Sequence, residues 1–274
     1  MKRGTSILAI GILLGVSLTL NAGNRSAHEG QAGVAEQMDT TQQTLGSVKL
    51  SDEERADIFM ARKSYDEAID YYSRAIKSLE GSQQNKPQIA ALWNKMGICY
   101  QQKMDYRQAR DAYKRATRLN HLFAQPWNNI GTTFYLSHKA KKSIGYYRHA
   151  IKLGPNAAAF HLNLGMAYFA RKKYEEASRE YRTAILLDPD ILKQRSNEGS
   201  AIETRHVNAK FYFYMAKVFA SVGNTTEAVR YLEHAMEEGF NDRNRILKDP
   251  DFQKISKDPA FIALIKNPPV PIKE

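Results

Sequence analysis

Residues 90–123 read AALWNKMGICYQQKMDYRQARDAYKRATRLNHLF, and residues 124–157 read AQPWNNIGTTFYLSHKAKKSIGYYRHAIKLGPNA. Laid over one another and over residues 158–190, AAFHLNLGMAYFARKKYEEASREYRTAILLDPD, they keep the same residue types at the same offsets. Gly97, Gly131 and Gly165 stand 34 residues apart. Trp93, Trp127 and His161 precede those glycines by four, and Met96, Ile130 and Leu164 by one. Tyr100, Phe134 and Tyr168 follow by three. Ala109, Ser143 and Ala177 recur in phase, as do Tyr113, Tyr147 and Tyr181, and then Ala116, Ala150 and Ala184. Pro155 and Pro189 close two of the units, and His121 takes that place in the first. Self-similarity at this period marks a stacked repeat architecture. The small residues let two helices approach closely, and the large ones fill the space beside those contacts. Proline ends the second helix, because it cannot continue a helix and biases its predecessor away from helical geometry.

The pattern resembles the tetratricopeptide repeat, whose units run Trp, Leu-Gly, Tyr, then Ala, Phe or Tyr, Ala and Pro. The resemblance implies an all-α, right-handed solenoid in which each unit is two antiparallel helices, A and B. Five units are expected, at 49–80, 90–123, 124–157, 158–190 and 209–242. The first is degenerate, carried by Ala56, Phe59, Tyr65, Ala68, Tyr72 and Ala75, with Arg55 at an otherwise apolar position, as suits a solvated end helix. The fifth is carried by Ala216, Phe219, Ala228, Leu232 and Ala235. Insertions are expected at 81–89 and 191–208; loops as long as the second serve function or stay mobile. After residue 242, Asp249-Pro250 and Asp258-Pro259 each read as an N-cap followed by a first-turn proline. Residues 243–274 are therefore expected to form capping helices and a tail, with Phe252, Phe261, Leu264 and Ile265 sealing the last unit.

The ends and the composition set the context. Lys2 and Arg3 precede a charge-free run, Ile7 to Leu20, followed by Asn21-Ala22-Gly23. That is the layout of a secretory signal peptide over 1–22, with cleavage expected after Ala22. The alternative is an uncleaved membrane anchor; either places the protein outside the cytoplasm, periplasmic or secreted. Residues 23–48, rich in Gly, Ser, Thr, Gln and Asn, read as a flexible linker. The chain of 274 residues carries a net charge of +11 with 43% hydrophobic residues, which excludes a polytopic membrane protein and a disordered chain. A single cysteine, Cys99, excludes a disulfide framework and a Cys-rich zinc module, and is read as a buried small hydrophobe.

No catalytic constellation emerges. There is no phosphate-binding Gly-rich loop, no metalloprotease His pair and no nucleophile elbow, and the seven histidines show no metal-ligand spacing. No cofactor, metal or enzymatic activity is expected, since repeats consume almost the whole chain.

The resemblance implies a ligand groove along the A helices, at the second, fifth, sixth, ninth, twelfth and thirteenth positions of each unit. Those positions hold Asn94, Lys95, Ile98, Gln101 and Gln102, then Gln125, Asn128, Asn129, Thr132, Tyr135 and Leu136. They continue with Leu162, Asn163, Met166 and Phe169, then Lys210, Phe213, Tyr214, Lys217 and Ser221. Asn129 and Asn163 share the sixth position, and their amides could pair with a ligand backbone. Tyr135 and Phe169 share the twelfth, where aromatics would anchor an apolar side chain. The family's chaperone-binding carboxylate clamp is matched only at its central Asn. The expected function is a non-catalytic protein-interaction scaffold that takes a protein or peptide in this groove. A second reading, an anion-binding envelope protein, rests on a recurring basic strip expected on the inter-helix turns and the convex side, which includes Arg110, Lys114, Arg115, Lys139, Lys141, Lys142, Arg148, Arg171, Lys172, Lys173 and Arg182. Such a strip would attract an anionic membrane or polymer surface. Nucleic acid is disfavoured by the export signal and the lack of aromatics interleaved with the charges. A third reading is a homo-oligomeric, self-assembling scaffold.

Overall fold

The computed structural model describes residues 50–192 and 208–272. The expected signal segment, the 23–48 linker and nearly all of the 191–208 insertion lie outside the described residues.

Every described element is helical. Five antiparallel pairs run along the chain: α1 (Asp52–Ala61) with α2 (Tyr65–Leu79), α3 (Lys86–Gln102) with α4 (Tyr106–Leu119), and α5 (Ala124–Leu136) with α6 (Ala140–Leu153). They continue with α7 (Ala158–Ala170) and α8 (Tyr174–Leu187), then α9 (Ala209–Ser221) and α10 (Thr225–Glu237). Three short helices follow: α11 (Arg243–Lys248), α12 (Pro250–Gln253) and α13 (Pro259–Lys266). The chain between α2 and α3 is shorter than the sequence indicates. A 3-10 turn at Gln83–Asn85 leads directly into α3, whose first turn takes Pro87 at a position where a missing N–H costs nothing.

The repeat residues explain the pairing. A Cβ added at Gly97, Gly131 or Gly165 would lie 2.5, 2.8 or 2.6 Å from the ring of Tyr113, Tyr147 or Tyr181. Each A helix thus accepts the tyrosine of its own B helix against bare backbone, and all three tyrosines are buried. The alanines at 109, 116, 150, 177 and 184 are fully buried at the same contacts. The turn between A and B uses one recurring device: Lys63, Met104, His138 and Lys172 all have positive φ, at 62, 61, 57 and 59°. In the last unit Gly223 takes the corresponding place at φ 78°. A left-handed conformation there reverses the chain after each A helix, at some strain for any residue but glycine.

Helix starts are capped locally. Ser51 and Glu54 form a reciprocal capping box on α1. Asp105, Asn208, Asn224 and Asp242 accept backbone N–H groups at the starts of α4, α9, α10 and α11. Lys139, at the start of α6, makes no such bond.

The A helices of neighbouring units also touch one another, α3 with α5 and α5 with α7, so they form one continuous row. This row is the inner side of the stack.

Candidate functional site

The inner row carries a register of its own. The fifth position of one unit bonds the sixth position of the next. Lys95 Nζ reaches Glu53 Oε1 at 3.0 Å, and also Asp57 at 2.8 Å. Asn129 Nδ2 donates to Asn94 Oδ1 at 3.0 Å. Asn163 Nδ2 donates to Asn128 Oδ1 at 2.9 Å, and Asn128 Nδ2 donates to Asn129 Oδ1 at 3.2 Å. The four asparagines are therefore one network crossing two unit boundaries. Asn94, Asn128 and Asn163 are buried and Asn129 is half-buried.

That network qualifies one expectation. Asn129 and Asn163 each commit one amide N–H to the neighbouring unit, because successive A helices approach closely enough for direct amide–amide bonds. Lys95 is likewise engaged. Burial alone would lower its pKa, but the hydrogen bonds it donates to Asp57 and Glu53 outweigh burial and raise it.

A correction concerns the last unit. Phe213 and Lys217, expected on the groove, lie under the C-terminal cap. Phe213 is 0% exposed, stacked on Phe240 at 4.2 Å and lying 5.8 Å from Phe252. The Arg245 guanidinium sits 4.7 Å over its ring and donates to Tyr214 Oη at 3.0 Å. Lys217 Nζ meets Asp249 at 2.9 Å, and the two side chains are 12% and 9% exposed. Helix α12 packs on α9 and α13 on α10. Phe252, Phe261, Leu264 and Ile265 are buried in the same cluster. The physical reason is the apolar face that the final unit would otherwise leave to water.

The exposed or half-exposed inner surface runs through Gln101, Gln102, Gln125, Thr132, Tyr135, Leu136, Met166 and Phe169. Gln101 Oε1 accepts from Tyr113 Oη at 3.1 Å, and Thr132 Oγ1 from Tyr147 Oη at 3.3 Å, so two of these residues also brace their own B helices. Phe169 packs edge-on against Phe211 and Tyr174, with centroids 5.4 and 5.2 Å away.

At one end of this surface a pocket of about 450 Å³ opens where the turn after α5 meets the turn after α7. Tyr135, Phe169 and Tyr174 line it with rings. Lys139, Lys141, Arg171 and Lys172 line it with cations, and among the described residues no lining residue is acidic. The twelfth-position aromatics and part of the basic strip, separate in the sequence reading, thus meet in one cavity. Tyr174 and Asn208 join them without having been singled out as lining residues. The signal was present in the numbering: each A–B turn begins two or three residues after the twelfth position, so its side chains border whatever that position borders.

The rest of the strip divides differently. Arg115 lies 4.4 Å over the Trp93 ring, Arg110 5.1 Å over Phe134, and Arg148 5.7 Å over Tyr168. Arg182 bonds Ser221 at 2.7 Å and pairs with Asp251 at 3.5 Å. These cations cover A-helix aromatics or tie α8 to the cap. His161 is buried, with its ring nitrogens 2.7 Å from Glu180 and 2.9 Å from the Pro155 carbonyl. Cys99 is fully buried, and burial pushes its thiol up to about 11. Among the described residues no group of three or more His, Cys, Asp or Glu could hold a metal ion.

Comparison with known proteins agrees with this architecture. Tetratricopeptide-repeat family models match residues 49–120 and 158–191. Those matches show that the chain is built with tetratricopeptide repeats, and its consecutive helix pairs have the architecture of a tetratricopeptide-repeat interaction scaffold. Comparison with curated proteins finds no match. Among solved structures it is similar to MamA, at 19% identity, covering 67% of this chain and 93% of that one, with a TM-score of 0.46. It is also similar to YrrB, described as having an unusual peptide-binding site, at 16% identity, 74% and 93% coverage, and a TM-score of 0.44. The PilF protein of Pseudomonas aeruginosa is 14% identical over 82% of this chain and 90% of that one, with a TM-score of 0.49.

Proposed function

We propose that this protein is an exported, non-catalytic scaffold that captures a segment of a partner protein along the inner face of units two to four. The observation that carries the reading is the contrast along one row of helices. The inner face of α9 is closed by the chain's own cap, whereas α3, α5 and α7 keep Gln102, Thr132, Tyr135, Met166 and Phe169 accessible. Half-exposed aromatic and methionine side chains among neutral polar ones suit a peptide, which needs apolar anchorage and a hydrogen-bonding rim. Export rests on Lys2, Arg3 and the apolar run to Leu20. N-terminal sequencing of protein from the envelope fraction should begin at Gly23; recovery from the cytoplasm alone would overturn export.

The groove is tested by affinity capture from envelope extract. The wild type is compared with a Thr132→Arg/Met166→Arg variant, which fills the face with two long charged side chains and leaves the asparagine network intact. A partner held by the wild type and lost by the variant supports capture on the inner face. Equal recovery by both proteins overturns it. A lone concentration-dependent self-complex in sedimentation, abolished in the variant, would identify a second copy of this chain as the occupant.

A further inference from the structure

We propose that the pocket between the α5–α6 and α7–α8 turns binds an acidic segment of a partner protein that carries an aromatic or aliphatic side chain beside its carboxylates. This rests on the scaffold reading and specifies the chemistry of its partner. The first support is charge. Lys139, just before α6, and Lys141, in its first turn, meet Arg171 and Lys172 of the α7–α8 turn at one rim. Among the described residues, none of the four is within ion-pair distance of a carboxylate. Two neighbouring lysines are partnered instead: Lys103, in the turn after α3, pairs with Asp66, and Lys173, next to Lys172, pairs with Glu176 at 3.1 Å. Lys210, 4.9 Å over the Tyr174 ring, adds a fifth cation beside the same wall. Like charges gathered without counter-charges attract an anion and raise its local concentration.

The second support is the wall itself. Tyr135, Phe169 and Tyr174 give the pocket an apolar lining, and its volume falls in the range that holds a small ligand or a few side chains. An inorganic anion would leave those rings unused. A flat layer of lipid headgroups would meet the lysine rim but could not reach the rings behind it. A peptide that alternates carboxylates with an apolar side chain uses both features.

The test is fluorescence anisotropy on the full-length protein with three probes. The first is a labelled peptide with one Phe flanked by Asp and Glu. The second replaces every acid by Lys, and the third is a phosphatidylglycerol vesicle. The acidic peptide should bind, and its affinity should fall severalfold as salt rises from about 50 to 300 mM, because screening shortens the reach of exposed charges. A Lys141→Glu/Lys172→Glu variant should bind at least about tenfold more weakly. Phe169→Ala should lose a comparable factor with less change in salt dependence. The Lys-substituted peptide should not bind. The proposal is overturned if the acidic peptide fails to bind at about millimolar concentration, if both peptides bind alike, if the charge reversal changes nothing, or if only vesicles bind. Lys141 and Lys172 are exposed, so an unchanged melting curve shows that the variant is folded. Failure here is distinguishable from failure of the scaffold reading. A partner that survives Lys141→Glu/Lys172→Glu but is lost with Thr132→Arg/Met166→Arg keeps the inner face and removes only the acidic specificity.

Discussion

Two helical glycines should respond in opposite directions to the same substitution. A Cβ at Gly165, in α7, would stand 2.6 Å from both Cδ1 and Cε1 of Tyr181 and 3.3 Å from the Ala177 carbonyl oxygen. Carbon atoms rest at about 3.5–4.0 Å, so the ring or the helix must give by about 1 Å. Tyr181 is 2% exposed and packs against Phe211, with no empty side to move toward. Overpacking of this kind costs about 1–3 kcal/mol, against about 1 kcal/mol returned by alanine's better helix propensity. An overlap of about 1 Å with a ring that has no room to move puts the cost in the upper part of that range, so Gly165→Ala should destabilise by about 1–2 kcal/mol net. Gly145, in α6, is exposed and would meet nothing within 4 Å, so Gly145→Ala should stabilise by about 0.5–1 kcal/mol. Urea unfolding followed by helical circular dichroism reads both. Repeat stacks can unfold in stages, so the comparison is made on the full transition curves. Gly165→Ala that is as stable as wild type, or the same sign at both sites, would refute the packing argument.

Four further outcomes are expected. Lys139→Asp should raise thermal stability by about 1 kcal/mol by giving α6 the cap that Asp105 gives α4, while weakening the acidic peptide; a loss of stability would contradict the cap. Lys217→Met strands the nearly buried Asp249 carboxylate and should cost on the order of 3 kcal/mol in thermal unfolding, whereas a loss below about 0.5 kcal/mol would mean the ion pair does not hold the cap. Cys99, with its thiol raised to about 11, should resist alkylation at about pH 8 in native protein and react at the unfolding rate; prompt native labelling would show an accessible thiolate. Lys95 titrates above its ordinary value, so its contribution is full below about pH 10.4 and lost as pH rises through the folded value. Alkaline unfolding should therefore begin earlier in wild type relative to its neutral-pH stability than in Lys95→Met, and identical profiles would count against the Glu53–Lys95–Asp57 cluster.

Much of the fold was legible because its cause is local and repeated. Gly131 and Tyr147 lie sixteen residues apart, and the same pair recurs at 97 and 113 and at 165 and 181, so one steric requirement appears three times in phase. The site was less legible because groove positions are defined by angle on a helix, and what covers an angle is decided elsewhere in the chain. Phe213 sits at a groove position, yet Phe240 and Phe252 cover it from downstream. Asn129 looks available on its own helix, and only the approach of α3 and α5 commits its amide to Asn94. Lys141 and Lys172 read as strip residues until the turns bring them beside Tyr135 and Phe169.

The most direct test of capture on the inner face is site-specific photo-crosslinking in cells. A photoreactive residue is placed at Gln102 or Thr132 on the inner row, and at Arg118 or Arg179 on the B helices. The account predicts one shared adduct from both inner positions and none of that mass from the outer pair. The same adduct from Arg118 and Arg179, with none from Gln102 and Thr132, would contradict it.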